Sequence, residues 1–157
     1  MRRKEKAMTT KADMEALIGE SRVCHVGLCD NGHPYVVPLH FGYIDGTIYL
    51  HAAPEGRKLT VMAENPSVCI VFDICDGVIP ADKACGWSTA YRSVMAFGEA
   101  ELVTDPAEKQ KGLGAIVSQY GGDPDSMGPR SIDATTVIRV RVRELTGKVS
   151  GGAPPTT

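Results

Sequence analysis

Hydrophobic and polar positions change period several times along the chain. In "TKADMEALIGE", residues 10–20, Met14, Leu17 and Ile18 recur at the i, i+3, i+4 spacing of one helical face behind Thr10 as a cap. That predicts a short amphipathic helix. The next stretch, "RVCHVGLCDNGHPYVVPLHFGYIDGTIYLHA", holds β-rich runs separated by Asp30-Asn31-Gly32 and Asp45-Gly46, the turn signals of consecutive antiparallel hairpins. It predicts a three-strand meander. Pro34 and Pro38 interrupt the middle run; proline has no N–H for a ladder and belongs at an edge, a strand start or a bulge. "GRKLTVMAEN" then returns to helical spacing, with Leu59, Met62 and Ala63 on one face, until Asn65-Pro66 stops it.

"SVCIVFDIC", residues 67–75, reads as a buried strand, and "YRSVMAFGEAELV", residues 91–103, as a longer one with Gly98 as a bend or bulge. The connection "DGVIPADKACGWSTA" is long enough to be functional, and it holds the only tryptophan, Trp87. Asp105-Pro106 opens a helix that runs to about Tyr120, with Leu113, Ile116 and Val117 inward and Gly121-Gly122 as its stop. "GGDPDSMGPRS" follows as a loop. "TTVIRVRVREL" alternates strictly, Ile138, Val140 and Val142 on one face and Arg139, Arg141 and Arg143 on the other. The count is six strands, mostly joined by hairpins, and three connecting helices. Closure into a small antiparallel barrel is the arrangement that removes exposed edges, so the expected fold is mainly β, a single domain over residues 1–150. The tail, residues 151–157, has no means of burial and is expected to be flexible.

With 157 residues and 43% apolar content the chain can bury one real core. Its net charge of -2 provides no general positive field for nucleic acid or acidic membrane, so the arginine ladder reads as a solvated or partner-facing surface. The "MRRKEK" start lacks the apolar region of a secretory signal, and no apolar run approaches membrane-spanning length, which points to a cytoplasmic protein. The five cysteines show no C-x-x-C and no zinc spacing, so no metal site is expected. Neither G-x-G-x-x-G nor G-x-x-x-x-G-K-[ST] occurs, which argues against dinucleotide-fold and P-loop chemistry.

"HAAPEGRKL", residues 51–59, raises an electrostatic question. Arg57 and Lys58 are adjacent cations at a helix start, where the macrodipole already favours an anion. Taken alone, the turn has two readings: both side chains are solvated, or they hold a phosphate monoester together with backbone N–H groups.

The ordered series "PYVVPLHFGY", "GTIYLHAAPEGRKL", "ENPSVCIVFD", "YRSVMAFGEAEL" and "ELTGK", preceded by "MRRKEKAM", resembles the pyridoxamine 5'-phosphate oxidase-like FMN-binding split barrels. Within them it is most similar to the 5-nitroimidazole reductase (Nim) proteins of nitroimidazole resistance. The resemblance implies a six-stranded split barrel and a homodimer with FMN in clefts between subunits. Val37, Pro38 and Leu39 would approach the flavin largely through backbone, and Arg57 and Lys58 would hold its phosphate. His40, His51 and Ala52 join the cofactor shell, and Ser93 matches a position from which the partner subunit reaches the flavin. His40 stands where the oxidases carry lysine, and Ser93 where they carry an amide; these departures argue against pyridoxamine phosphate oxidation.

The implied activity is reduction of a small flat acceptor, such as a nitroaromatic, with electrons from a nicotinamide or another donor. His51 agrees with the active-site histidine of the nitroimidazole reductases and would supply a proton; a histidine with no catalytic duty at a strand end is the other reading. Trp87 or Tyr91 would cover the acceptor face, and Trp87 is equally suited to anchor an interface. A haem-binding split barrel and a flavin carrier or sensor without turnover remain as alternatives.

Overall fold

The computed structural model describes residues 3–151. Helix α1 (Lys11–Glu20) starts where its spacing places it. The Thr10 hydroxyl accepts the Asp13 N–H at 3.1 Å, satisfying one open donor of the first turn, and Met14, Leu17 and Ile18 are buried. Two hairpins follow, β2 (Cys24–Asp30) with β3 (His33–Leu39), and β4 (Phe41–Ile44) with β5 (Thr47–Ala52). Their turns place Asn31 at φ 50° with Gly32 at 86°, and Asp45 at 50° with Gly46 at 73°, the left-handed pairs that tight hairpins require. Then come α2 (Arg57–Glu64), β6 (Ser67–Ile79), β7 (Ser88–Leu102), α3 (Pro106–Gln119), α4 (Pro129–Ala134) and β8 (Thr136–Ser150). A two-residue strand, β1 (Ala7–Met8), lies against β8.

The antiparallel sheet runs in the order β3-β2-β6-β7-β8-β5-β4. Its two ends, β3 and β4, are consecutive in the chain, separated only by His40. A sheet whose edges share so short a link must curl until they meet. No ladder pairs β3 with β4 among the described residues, so the barrel is closed by the chain yet split in its hydrogen bonding. Phe41, Ile48, Leu50, Ile70, Phe72 and Ile138 fill the interior, Phe41 meeting Phe72 edge-on at 4.8 Å. Burying side chains of this size contributes about 1.5–3 kcal/mol each. On the outside, α3 packs Leu113 and Ile116 against Tyr49 and Val137.

The mainly β split barrel agrees with the sequence, but several elements differ. The predicted meander breaks at His40, which sends its middle run to both ends of the sheet; with β1 this makes eight strands, not six. The long loop shrinks, because pairing runs on to Ile79 opposite Ser88, past a bulge between Cys75 and Gly77. The supposed loop after α3 holds α4, begun by Pro129 at a position where proline's missing N–H costs nothing. In α2 it is Val61 that is buried with Met62, while Ala63 is exposed. The arginine face is not a bare basic ladder: Arg139 pairs with Glu101 and Glu108, and Arg143 with Glu99. Apart from Gly151, the expected tail lies outside the described residues.

Candidate functional site

Where β3 ends and β4 begins, a shallow cleft of about 300 Å³ is lined by Val23, Pro38, Leu39, His40 and His51. β3 is an edge strand, and Pro34 and Pro38 lie on it as the missing N–H requires. Its free edge leaves backbone groups available to a flat ligand. Val37 and Leu39 are half-buried against the core, while Pro38 and His40 are exposed. His51 is exposed near the end of β5, ahead of the buried Ala52, and its ring centre lies 6.5 Å from that of His40 in a stacked arrangement.

Tyr120, just past α3, meets the His40 ring edge-on at 5.0 Å. Its hydroxyl accepts the Phe41 N–H at 3.2 Å and donates to the Arg22 carbonyl at 2.8 Å, fixing the corner that carries His40. In the sequence Tyr120 marks only the end of a helix, and Val23 only a strand residue. No local signal reports contacts made across 79 positions.

The second cluster opens α2. Gly56, at φ 143°, precedes Arg57 without a side-chain cap, and the Leu59 N–H turns back to its carbonyl at 2.9 Å. Arg57 donates from Nε and Nη2 to Asp30 Oδ2 at 2.9 and 2.8 Å, and its guanidinium carbon lies 4.5 Å from the centre of the Tyr35 ring. Lys58 has no ion pair among the described residues. The two clusters are joined electrostatically. Partial loss of solvent, then His40 and Lys58, hold the His51 imidazole below its ordinary value of 6.5, so it is mainly neutral at neutral pH.

Trp87, Tyr91 and Ser93 form a separate group. Trp87 is exposed at the end of the β6–β7 connection, and Lys148 Nζ stands 5.5 Å from the centre of the Tyr91 ring. That ammonium holds the Tyr91 hydroxyl below its usual range. Ser93 lies two residues along β7 from Met95, whose cross-strand row continues through Val71 and His25 to Pro38, so three strand spacings, roughly 15 Å, and one two-residue repeat separate it from β3. The fold therefore brings Val37, Pro38, Leu39, His40, His51, Ala52, Arg57 and Lys58 to one side and leaves Trp87, Tyr91 and Ser93 apart from them.

Part of the outer sheet face is apolar, bounded by Asp73 and Ser93 on one side and Ser67 and Glu99 on the other. His25, Val71 and Met95 lie in one cross-strand row, and Val36, Gly27, Cys69 and Phe97 in the next, with Val36 60% exposed, Met95 39% and Phe97 36%.

Residues 10–149 match the family described as pyridoxamine 5'-phosphate oxidase. The chain belongs to this family. Its fold is similar to that of a candidate 5-nitroimidazole antibiotic resistance protein from Bacteroides thetaiotaomicron, with 35% identity, coverage of 91% of this chain and 86% of that one, and a TM-score of 0.81. The flavocytochrome Anf3 from Azotobacter vinelandii is 28% identical, over 100% of this chain and 75% of its own, with a TM-score of 0.83. A FAD- and haem-binding protein from Mycobacterium smegmatis shares the fold at 23% identity, covering 97% and 77%, with a TM-score of 0.84. Comparison with curated proteins finds no match. For this pyridoxamine 5'-phosphate oxidase family member, the split barrel is thus common to sequence, structure and relatives.

Proposed function

We propose that the protein is an FMN-dependent oxidoreductase. It binds flavin along β3 at the interface of a homodimer and reduces a small flat acceptor of the nitroaromatic type. One observation carries the reading: an edge strand with open backbone groups runs between a helix-start cation pair, Arg57 and Lys58, and two imidazoles, His40 and His51. These residues fit FMN at both ends, a dianion by the cations and helix N–H groups and a flat ring by the β3 edge. The similarity to a candidate nitroimidazole resistance protein supports the acceptor class.

Bound FMN supplies a ring that takes electrons from a donor such as a nicotinamide and passes them to the acceptor. Val37, Pro38 and Leu39 orient that ring through their backbone, and Val23 with Pro38 and Leu39 gives one side of the cleft an apolar lining. A ring nitrogen of His51, reprotonated from solvent after each transfer, would deliver one of the two protons that a nitro group takes up with two electrons on becoming nitroso and water, the other arriving with the electrons from the flavin. Trp87, Tyr91 and Ser93 lie about three strands from this cleft in their own chain; in this reading the partner copy supplies them, and the exposed Val36, Met95 and Phe97 give the two copies an apolar patch to share. The absence of disulfides among all five cysteines suits the reducing cytoplasm.

A haem reading is favoured by two observations: two imidazoles open onto the cleft, and a 28%-identical structure is a flavocytochrome. Anaerobic rapid mixing separates the possibilities. Protein with FMN, reduced and then mixed with a nitroimidazole, should consume it faster than free reduced FMN at equal concentration. Binding without acceleration would leave a carrier, and a haem spectrum in the purified protein would replace FMN.

A further inference from the structure

We infer that Asp30 and Tyr35 are positioning residues that hold Arg57 ready for the flavin phosphate; the inference rests on the reading above. Arginine carries five N–H donors on a long stem that must lose its freedom before it grips an anion. Here two contacts already supply part of that ordering. Nε and Nη2 share a single oxygen, Asp30 Oδ2, so the carboxylate takes the guanidinium from its side and leaves Nη1 and one Nη2 proton outward. The outer edge, Nη1 with the remaining Nη2 proton, stays free to donate two parallel bonds to phosphate oxygens.

Asp30 is itself held. Its Oδ1 accepts from Asn31 Nδ2 at 3.3 Å, and the residue closes the β2–β3 hairpin opposite His33. The Tyr35 ring, packed against the core, covers one face of the guanidinium, so Arg57 is bounded on a side and a face. Both holders belong to the hairpin whose second strand continues to Val37, Pro38 and Leu39. One element thus sets the phosphate end and the ring end of the site together. Lys58 has no comparable holder among the described residues and acts as a point charge.

Titration of FMN and riboflavin, followed by flavin fluorescence, tests this with Asp30→Asn, Tyr35→Leu, Arg57→Ala and the double variant Asp30→Asn/Arg57→Ala. Arg57→Ala and Asp30→Asn should each weaken FMN about tenfold while riboflavin changes less than about twofold, because riboflavin lacks the phosphate. Tyr35→Leu should act in the same direction more weakly. The double variant should be no worse than Arg57→Ala alone, since a holder without its arginine has nothing to position. Asp30→Glu should restore part of the loss. If Asp30→Asn leaves FMN affinity unchanged or raises it while Arg57→Ala weakens it, the positioning role is wrong and the phosphate grip stands. If Arg57→Ala has no effect on FMN, both fall. Equal losses of FMN and riboflavin in Asp30→Asn would also overturn the inference, which requires intact riboflavin binding.

Discussion

His51 is where a single side chain sets the pH behaviour of the proposed reaction. Desolvation, His40 and Lys58 all disfavour its cation, so the folded protein binds that proton less readily than the unfolded chain. Between the lowered value and 6.5 the unfolded state holds more protons, and stability therefore falls as pH drops through that window. A proton donor behaves in the opposite sense: acceptor reduction should quicken as pH falls through the same range. His51→Ala and His51→Phe should keep FMN but slow acceptor reduction by about 10² to 10⁴, and flatten the acid limb of the rate profile. Parent-like rates in both variants would make His51 structural.

The sequence already marks His51, Arg57, Lys58 and residues 37–40, whose chemistry lies in residue type and nearest neighbours. Asp30 reads there only as a turn former, and Tyr35 as a strand aromatic. Their grip on Arg57 arises from contacts across 27 positions and more than 20, respectively, which no local pattern encodes.

Among the elements, α1 and the two hairpin turns were legible because a cap, an apolar spacing and left-handed Asn-Gly and Asp-Gly pairs are local chemistry. The break at His40 was not. The run from Tyr35 to Tyr43 has continuous β character, and only the order of the finished sheet requires it to leave one edge and join the other. The fit of α3 is equally non-local. It lies so close to β4 that a Cβ on Gly42 would stand 2.4 Å from the Ala115 carbonyl carbon and the Ile116 nitrogen, both backbone atoms. Gly42→Ala should therefore push α3 outward, lowering stability by about 1–3 kcal/mol and loosening the Tyr120 contact that fixes His40. Thermal unfolding reads the first effect directly. An unchanged melting temperature would mean that α3 does not bear on β4 as described.

For the whole molecule, the proposed site residues fall in two sets, one at the β3 edge and one at β7 three strands away, with a partly apolar face between them. In the proposed homodimer, a two-fold pair of copies joined through that face lets one set complete the other, and an isologous contact requires only one self-complementary patch. Size-exclusion chromatography of the FMN-loaded protein, with light scattering and full absorption spectra recorded on the same peak, tests this most directly. A flavin-holding dimer gives one particle of about twice 16.8 kDa that carries the two broad flavin bands after free FMN is removed. A monomer that retains FMN, a dimer that keeps none, or a peak dominated by a Soret band would contradict it.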